Sequence, residues 1–156
     1  MKYPLICIDP GKNGGIAVSD ATGKTAAYPM PDTVHDLKDL LNRLLILNSC
    51  DPLTRCEVII ERVHSMPTDA ASAAFAFGEN FGMIQGVLAA IGASYRFVQP
   101  HAWQKKVGAL PKNKPERKRA LKAFAQQRYP HLAVTLKTAD ALAMLAVETE
   151  KATHGA

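Results

Sequence analysis

Short apolar runs broken by turn residues open the chain. From Tyr3 to Asp9 a run rich in β-formers ends at Pro10-Gly11-Lys12-Asn13-Gly14, a stretch with strong turn chemistry. Gly15 to Ser19 resumes the apolar pattern, Asp20-Ala21-Thr22-Gly23 turns the chain, and Lys24 to Tyr28 returns as a third strand. Two such short connections predict an antiparallel meander. Beyond Pro29 and Pro31 the period changes. Val34, Leu37, Leu40, Leu41, Leu44 and Leu45 recur at helical spacing behind Asp32 or Thr33, either of which can cap the helix. Val58-Ile59-Ile60, continuing into Glu61 and Val63, reads as a fourth strand, and its lack of alternation predicts a central position with both faces covered. Asp69 to Ile91 reads as a long helix in which Gly78, Gly82 and Gly86 recur every four residues, a cost in helix stability that some close contact must offset. Ser94 to Gln99 is a fifth strand, Pro100 to Val107 a turn or short helix, and Gly108 to Pro115 a loop. A helix from Glu116 to Tyr129 is opened by Pro115 and stopped by Pro130, and a last helix from Leu136 to Glu150 carries Asp140. The order βββαβαβαα predicts an α/β fold with a mixed five-stranded sheet flanked by helices on both faces.

Composition narrows this reading. A chain of 156 residues, 47% hydrophobic and 21% charged, without repeats or low-complexity blocks, predicts a single domain over 1–156 with a short flexible C-terminal tail. Cys7, Cys50 and Cys56 form no CxxC pair, and Cys7 and Cys56 lie in or beside apolar runs, which fits free thiols in a reducing compartment. No apolar run approaches the roughly 20 residues that span a bilayer, and none resembles a signal peptide. A cytoplasmic or nucleoid-associated protein, with no membrane partner, is expected. The net charge of +5 points to a polyanionic partner, and where the charge sits matters more than its sum. Lys105, Lys106, Lys112, Lys114, Arg117, Lys118 and Arg119 form the densest basic segment, with Glu116 its one acid. It reads either as a solvated face or as a phosphate-binding surface that contacts backbone rather than bases.

Three acids change the picture from binding to chemistry. Asp9 closes the first strand and Glu61 lies near the end of the fourth, so both reach one edge of the sheet if those strands are neighbours. Asp140 reaches that edge from the last helix. Taken singly they read as a turn residue before Pro10-Gly11, a strand-end charge paired with a base such as Arg62, and a helix residue beside solvent. Taken together they are what metal-assisted phosphodiester hydrolysis needs, since a hard cation takes oxygen ligands and offsets the charge of an approaching phosphate.

The motifs carry a resemblance. Ile8-Asp9-Pro10-Gly11 with Gly14-Gly15-Ile16-Ala17, then Ile59-Ile60-Glu61-Arg62-Val63, then Ala139-Asp140-Ala141-Leu142-Ala143 resembles the RuvC family of Holliday-junction resolvases over nearly the whole chain. Phe77-Gly78-Glu79-Asn80-Phe81-Gly82 is similar to the glycine-containing helix that follows the family's catalytic glutamate. Val98-Gln99-Pro100-His101-Ala102-Trp103-Gln104-Lys105 is similar to a stretch common in phage-type members. The resemblance implies an RNase H-like fold, Mg²⁺ (with Mn²⁺ as a substitute) held by Asp9, Glu61 and Asp140, a homodimer, and paired nicks across four-way or otherwise branched DNA.

One position departs from that pattern. Three residues before the helix aspartate the family usually carries another acid or a histidine, and here stands Lys137, which a spacing of three predicts on the same helix face as Asp140. A protonated lysine is no metal ligand. It could assist catalysis at the scissile phosphate, swing outward, or pair with Asp9 and leave a junction-binding protein without nuclease activity. His64 stands where family members often place an aromatic that stacks on a junction base, and it is an expected DNA contact, with sequence preference expected from the segment His64 to Asp69. His101 reads as surface or structural. Trp103 reads as a packing anchor, and the aromatic and small residues of the Asp69 to Ile91 helix as core, with a surplus able to pack against the same helix of a second subunit. Two rivals remain open: another RNase H-like nuclease acting on RNA-containing or branched substrates, and an actin-like kinase suggested by Asp9-Pro10-Gly11 with Gly14-Gly15, for which the chain lacks a second phosphate motif and lobe.

Overall fold

The computed structural model describes residues 4–48, 56–62 and 70–154. Tyr3, Cys50, Val63, His64, Asp69 and the last two residues of the anticipated C-terminal tail lie outside the described residues. The elements run β1 (Leu5–Asp9), β2 (Gly15–Ser19), β3 (Thr25–Pro29), α1 (Val34–Asn48), β4 (Glu57–Glu61), α2 (Ala71–Ala90), β5 (Tyr95–Val98), α3 (Pro100–Val107), α4 (Lys114–Arg128) and α5 (Ala139–His154). The segment Pro100 to Val107 resolves into a true helix, and α5 both starts and ends later than its sequence pattern predicts.

The strands form one five-stranded sheet in the order β3-β2-β1-β4-β5. β1, β2 and β3 pair antiparallel as the expected meander, whereas β1 with β4 and β4 with β5 are parallel. The sheet is mixed, and β1 and β4 lie at its centre, buried as unbroken apolar runs require.

Strand parity divides the core. Ile6, Ile8, Val58 and Ile60 point to one face, where Leu37, Leu40, Leu41 and Leu44 of α1 and Ile84, Val87 and Leu88 of α2 cover them. Leu5, Cys7 and Ile59 point to the other, under Trp103 of α3, Leu121 and Ala125 of α4, and Leu142 and Leu145 of α5. Since successive side chains alternate faces, Asp9 and Glu61 belong to the side covered by α3, α4 and α5. Thr33 caps α1, its hydroxyl accepting from the Asp36 amide at 3.1 Å.

Glycines hold the β1–β2 turn to its surroundings. A β-carbon on Gly14 would stand 2.0 Å from the Asp9 carbonyl oxygen, and one on Gly15 would stand 2.7 Å from the carbonyl oxygen of Lys137. Only glycine permits these approaches. At Gly11, with φ +109°, the amide donates to Asn80 Oδ1 of α2 at 2.7 Å.

Candidate metal centre and nucleic-acid interface

The parallel register of β1 and β4 ends with Ile8 opposite Ile60, so the next residues, Asp9 and Glu61, stand side by side at the carboxyl end of the two central strands. Both are 7% exposed. Asp140 lies in the first turn of α5, where a carboxylate is favoured by the helix N-terminus. The structure therefore brings together all three predicted acids.

Their charges interact strongly. Burial pushes Asp9 well above the ordinary carboxylate range, reinforced by the charges of Asp140 and Glu61 and partly offset by Lys118. Burial also raises Glu61, to about 7, against a lowering hydrogen bond from Trp103. The interaction between the two carboxyls is uneven: it raises Asp9 and lowers Glu61, so that burial is what drives Glu61 up.

The lysine that reaches these acids is Lys118. Its Nζ lies 3.1 Å from Asp140 Oδ2 and 4.0 Å from Asp9 Oδ2, an ammonium placed between two carboxylates. Lys137 is elsewhere: it is exposed, precedes α5 in a turn, and forms no ion pair among the described residues. The expected shared helix face with Asp140 does not exist because the helix begins at Ala139. Thr135 and Thr138 bond each other's amides at 3.1 and 3.3 Å and build a capping turn through position 137.

Among the described residues, no three His, Cys, Asp or Glu side chains are gathered as they stand to ligate one ion. The donor set nevertheless fits a hard divalent cation. It offers carboxylate oxygens only, Asp140 Oδ1 is buried without a hydrogen-bond partner, and a cationic group already sits in the gap. A bound ion requires the Lys118 ammonium to yield that place.

Trp103 is the site residue that sequence reasoning treated as packing alone. It is fully buried, and its Nε1–H also donates to Glu61 Oε1 at 2.8 Å. The basic segment is split between elements. Lys105 and Lys106 close α3 and are exposed, as are Lys112, Lys114 and Arg119, whereas Arg117 spends one N–H on the Lys112 carbonyl at 3.2 Å. Asn113 caps α4 by accepting from the Glu116 amide at 3.2 Å. His101 is exposed on α3. His64, with the segment through Asp69, lies outside the described residues.

No family sequence profile matches the chain, and no curated protein matches it in sequence. Solved structures do match. RuvC of Thermus thermophilus superposes with a TM-score of 0.63 at 15% identity, over 98% of this chain and 97% of that one. The chain has the RuvC-type, RNase H-like fold. The same RuvC in complex with a Holliday junction substrate matches with a TM-score of 0.62, at 15% identity, over 98% of this chain and 96% of the other. The RuvC-type likeness thus runs the length of both chains, and no helix among the described residues is long and apolar enough to cross a membrane.

Proposed function

We propose that the chain is a divalent-metal-dependent DNA endonuclease that resolves four-way junctions by paired nicks, acting as a homodimer of the phage-type RuvC group. The observation that carries this reading is the convergence of Asp9, Glu61 and Asp140 at the carboxyl end of β1 and β4, with the exposed bases of α3 and α4 on the same side of the sheet. The full-length fold likeness to a RuvC bound to a Holliday junction supports the substrate class.

Asp9, Glu61 and Asp140 would hold Mg²⁺, or Mn²⁺ in its place. When bound, the metal supplies an activated water and an offset for the charge on the departing 3′-oxygen, leaving 5′-phosphate products. Lys105, Lys106, Lys112, Lys114, Arg117 and Arg119 neutralise backbone phosphates, while Lys118, released from Asp9 and Asp140, meets the scissile phosphate. Of the α2 face, Phe75 is 75% exposed and a β-carbon at Gly78, Gly82 or Gly86 would meet nothing within 4 Å among the described residues, which supports this helix as the surface that pairs with a second copy.

The test is cleavage of an end-labelled four-way junction beside a linear duplex and an RNA–DNA hybrid, in Mg²⁺ or EDTA, with wild type and Asp9→Asn. Paired nicks confined to the junction and absent in EDTA and in the variant are expected. Cutting of the hybrid instead would move the reading to another RNase H-like nuclease. The ion pairs of Lys118 favour a second reading, a junction-binding protein silenced by its own ammonium. Lys118→Met would then gain cleavage rather than lose it.

A further inference from the structure

The chain contains a single tryptophan, and its indole nitrogen is spent on a carboxylate of the candidate metal centre. Trp103 is fully buried in the core cluster that also holds Ile59, Val98, Leu121 and Leu142, so the direction of its N–H is fixed by packing before any ligand arrives. A buried indole N–H needs an acceptor, and a bond to a carboxylate is stronger than one to a neutral oxygen. Glu61 is a flexible side chain at a strand end, yet one oxygen of its carboxyl group is held. Oε1 takes the indole N–H at 2.8 Å, and Asp9 stands beside the group on the neighbouring strand end.

We propose that Trp103 is a positioning residue for Glu61: by fixing one carboxylate oxygen through its indole N–H, it presents the other toward Asp9 and Asp140 for the divalent ion. This rests on the metal-centre reading above. Trp103 touches neither ion nor DNA and acts through Glu61, the role by which partners of metal ligands commonly set affinity. The helix that carries it turns Lys105 and Lys106 outward, so one eight-residue element joins the phosphate-facing surface to a ligand.

The experiment uses the full chain and the metal alone, without DNA. In a ¹H–¹⁵N spectrum the one indole N–H resonance should move as Mg²⁺ is added, with the midpoint that calorimetry gives for Mg²⁺ binding. Trp103→Phe should bind Mn²⁺ about 10- to 100-fold more weakly. It should keep wild-type affinity for a four-way junction in EDTA. A purely structural tryptophan would lower the melting temperature without changing metal affinity. An indole resonance that stays fixed while calorimetry records binding overturns the proposal and leaves the metal centre standing, and so does wild-type Mn²⁺ affinity in Trp103→Phe. If Trp103→Phe does not fold, the wild-type resonance decides alone. Absence of any Mg²⁺ or Mn²⁺ binding by the wild type overturns the metal centre itself, and the proposal with it.

Discussion

Glu61 and Asp9 hold protons in the folded chain at pH values where an unfolded carboxyl has released them, because burial and mutual repulsion penalise their charged forms. Both shifts are upward, so the stability these groups contribute is complete below the ordinary carboxylate range and is lost as pH rises through about 7. In EDTA, Glu61→Gln should therefore melt several degrees above wild type at about pH 8, with the gap closing near about pH 4, as read by thermal denaturation. Mg²⁺ should raise the melting temperature of the wild type only. Lys118→Met should reduce junction cleavage on the order of 100-fold in single-turnover assays, the usual loss when a group offsetting transition-state charge is removed. Lys137→Met should change it far less. The acids were legible because strand ends and alternation place Asp9 and Glu61 without reference to the rest of the chain. Lys118 was hidden among seven bases, although one signal was available. It shares a helical phase with Leu121 and Ala125, the buried residues of α4, and a base on a helix's apolar stripe needs an anionic partner. Trp103 offered a similar signal, since a buried indole must find an acceptor.

At the scale of elements, α5 is fastened at both ends by charge. Its first turn places Asp140 beside Lys118, and further along Glu148, with a side chain 1% exposed, takes Arg96 of β5 at 2.8 Å and also pairs with Lys151. Burial alone would raise Glu148, but the bonds from Arg96 and Lys151 outweigh it and hold the carboxyl below its usual range. A lowered carboxylate contributes stability above its unfolded titration, and that contribution is lost as pH falls. Arg96→Met should lower the melting temperature at neutral pH, with a smaller loss once the pH falls through the lowered titration of Glu148. Scanning calorimetry from neutral pH down into the acid range checks this. The start of α5 misled sequence reasoning because apolar spacing continues through Leu136 while paired threonine hydroxyls delay the helix to Ala139. Pro100 to Val107 was ambiguous for the opposite reason. Eight residues show barely two turns of periodicity, and it is the burial of Trp103 against the sheet that commits them to a helix.

For the molecule as a whole, the topology was readable because three consecutive strands followed by alternating helices and strands leave few sheet orders with short connections. What one chain could not explain was the glycine spacing of α2. Its body-facing residues Ile84, Val87 and Leu88 are buried, yet a β-carbon at any of the three glycines would meet nothing within 4 Å, so the close contact they predict is not made among the described residues. Gly82→Leu should keep the fold, since leucine favours helix over glycine, but convert a dimer to a monomer in analytical ultracentrifugation and uncouple the two nicks of a junction. A wild-type chain that sediments as a monomer at micromolar concentration would sink the dimer. The position of Lys118 also bears on the order in which the parts of a complex assemble. An acidic edge partly neutralised from within by Lys118 would repel DNA less while it waits for an ion. On the proposed reading, the search for a junction and the commitment to cutting would then be separable events.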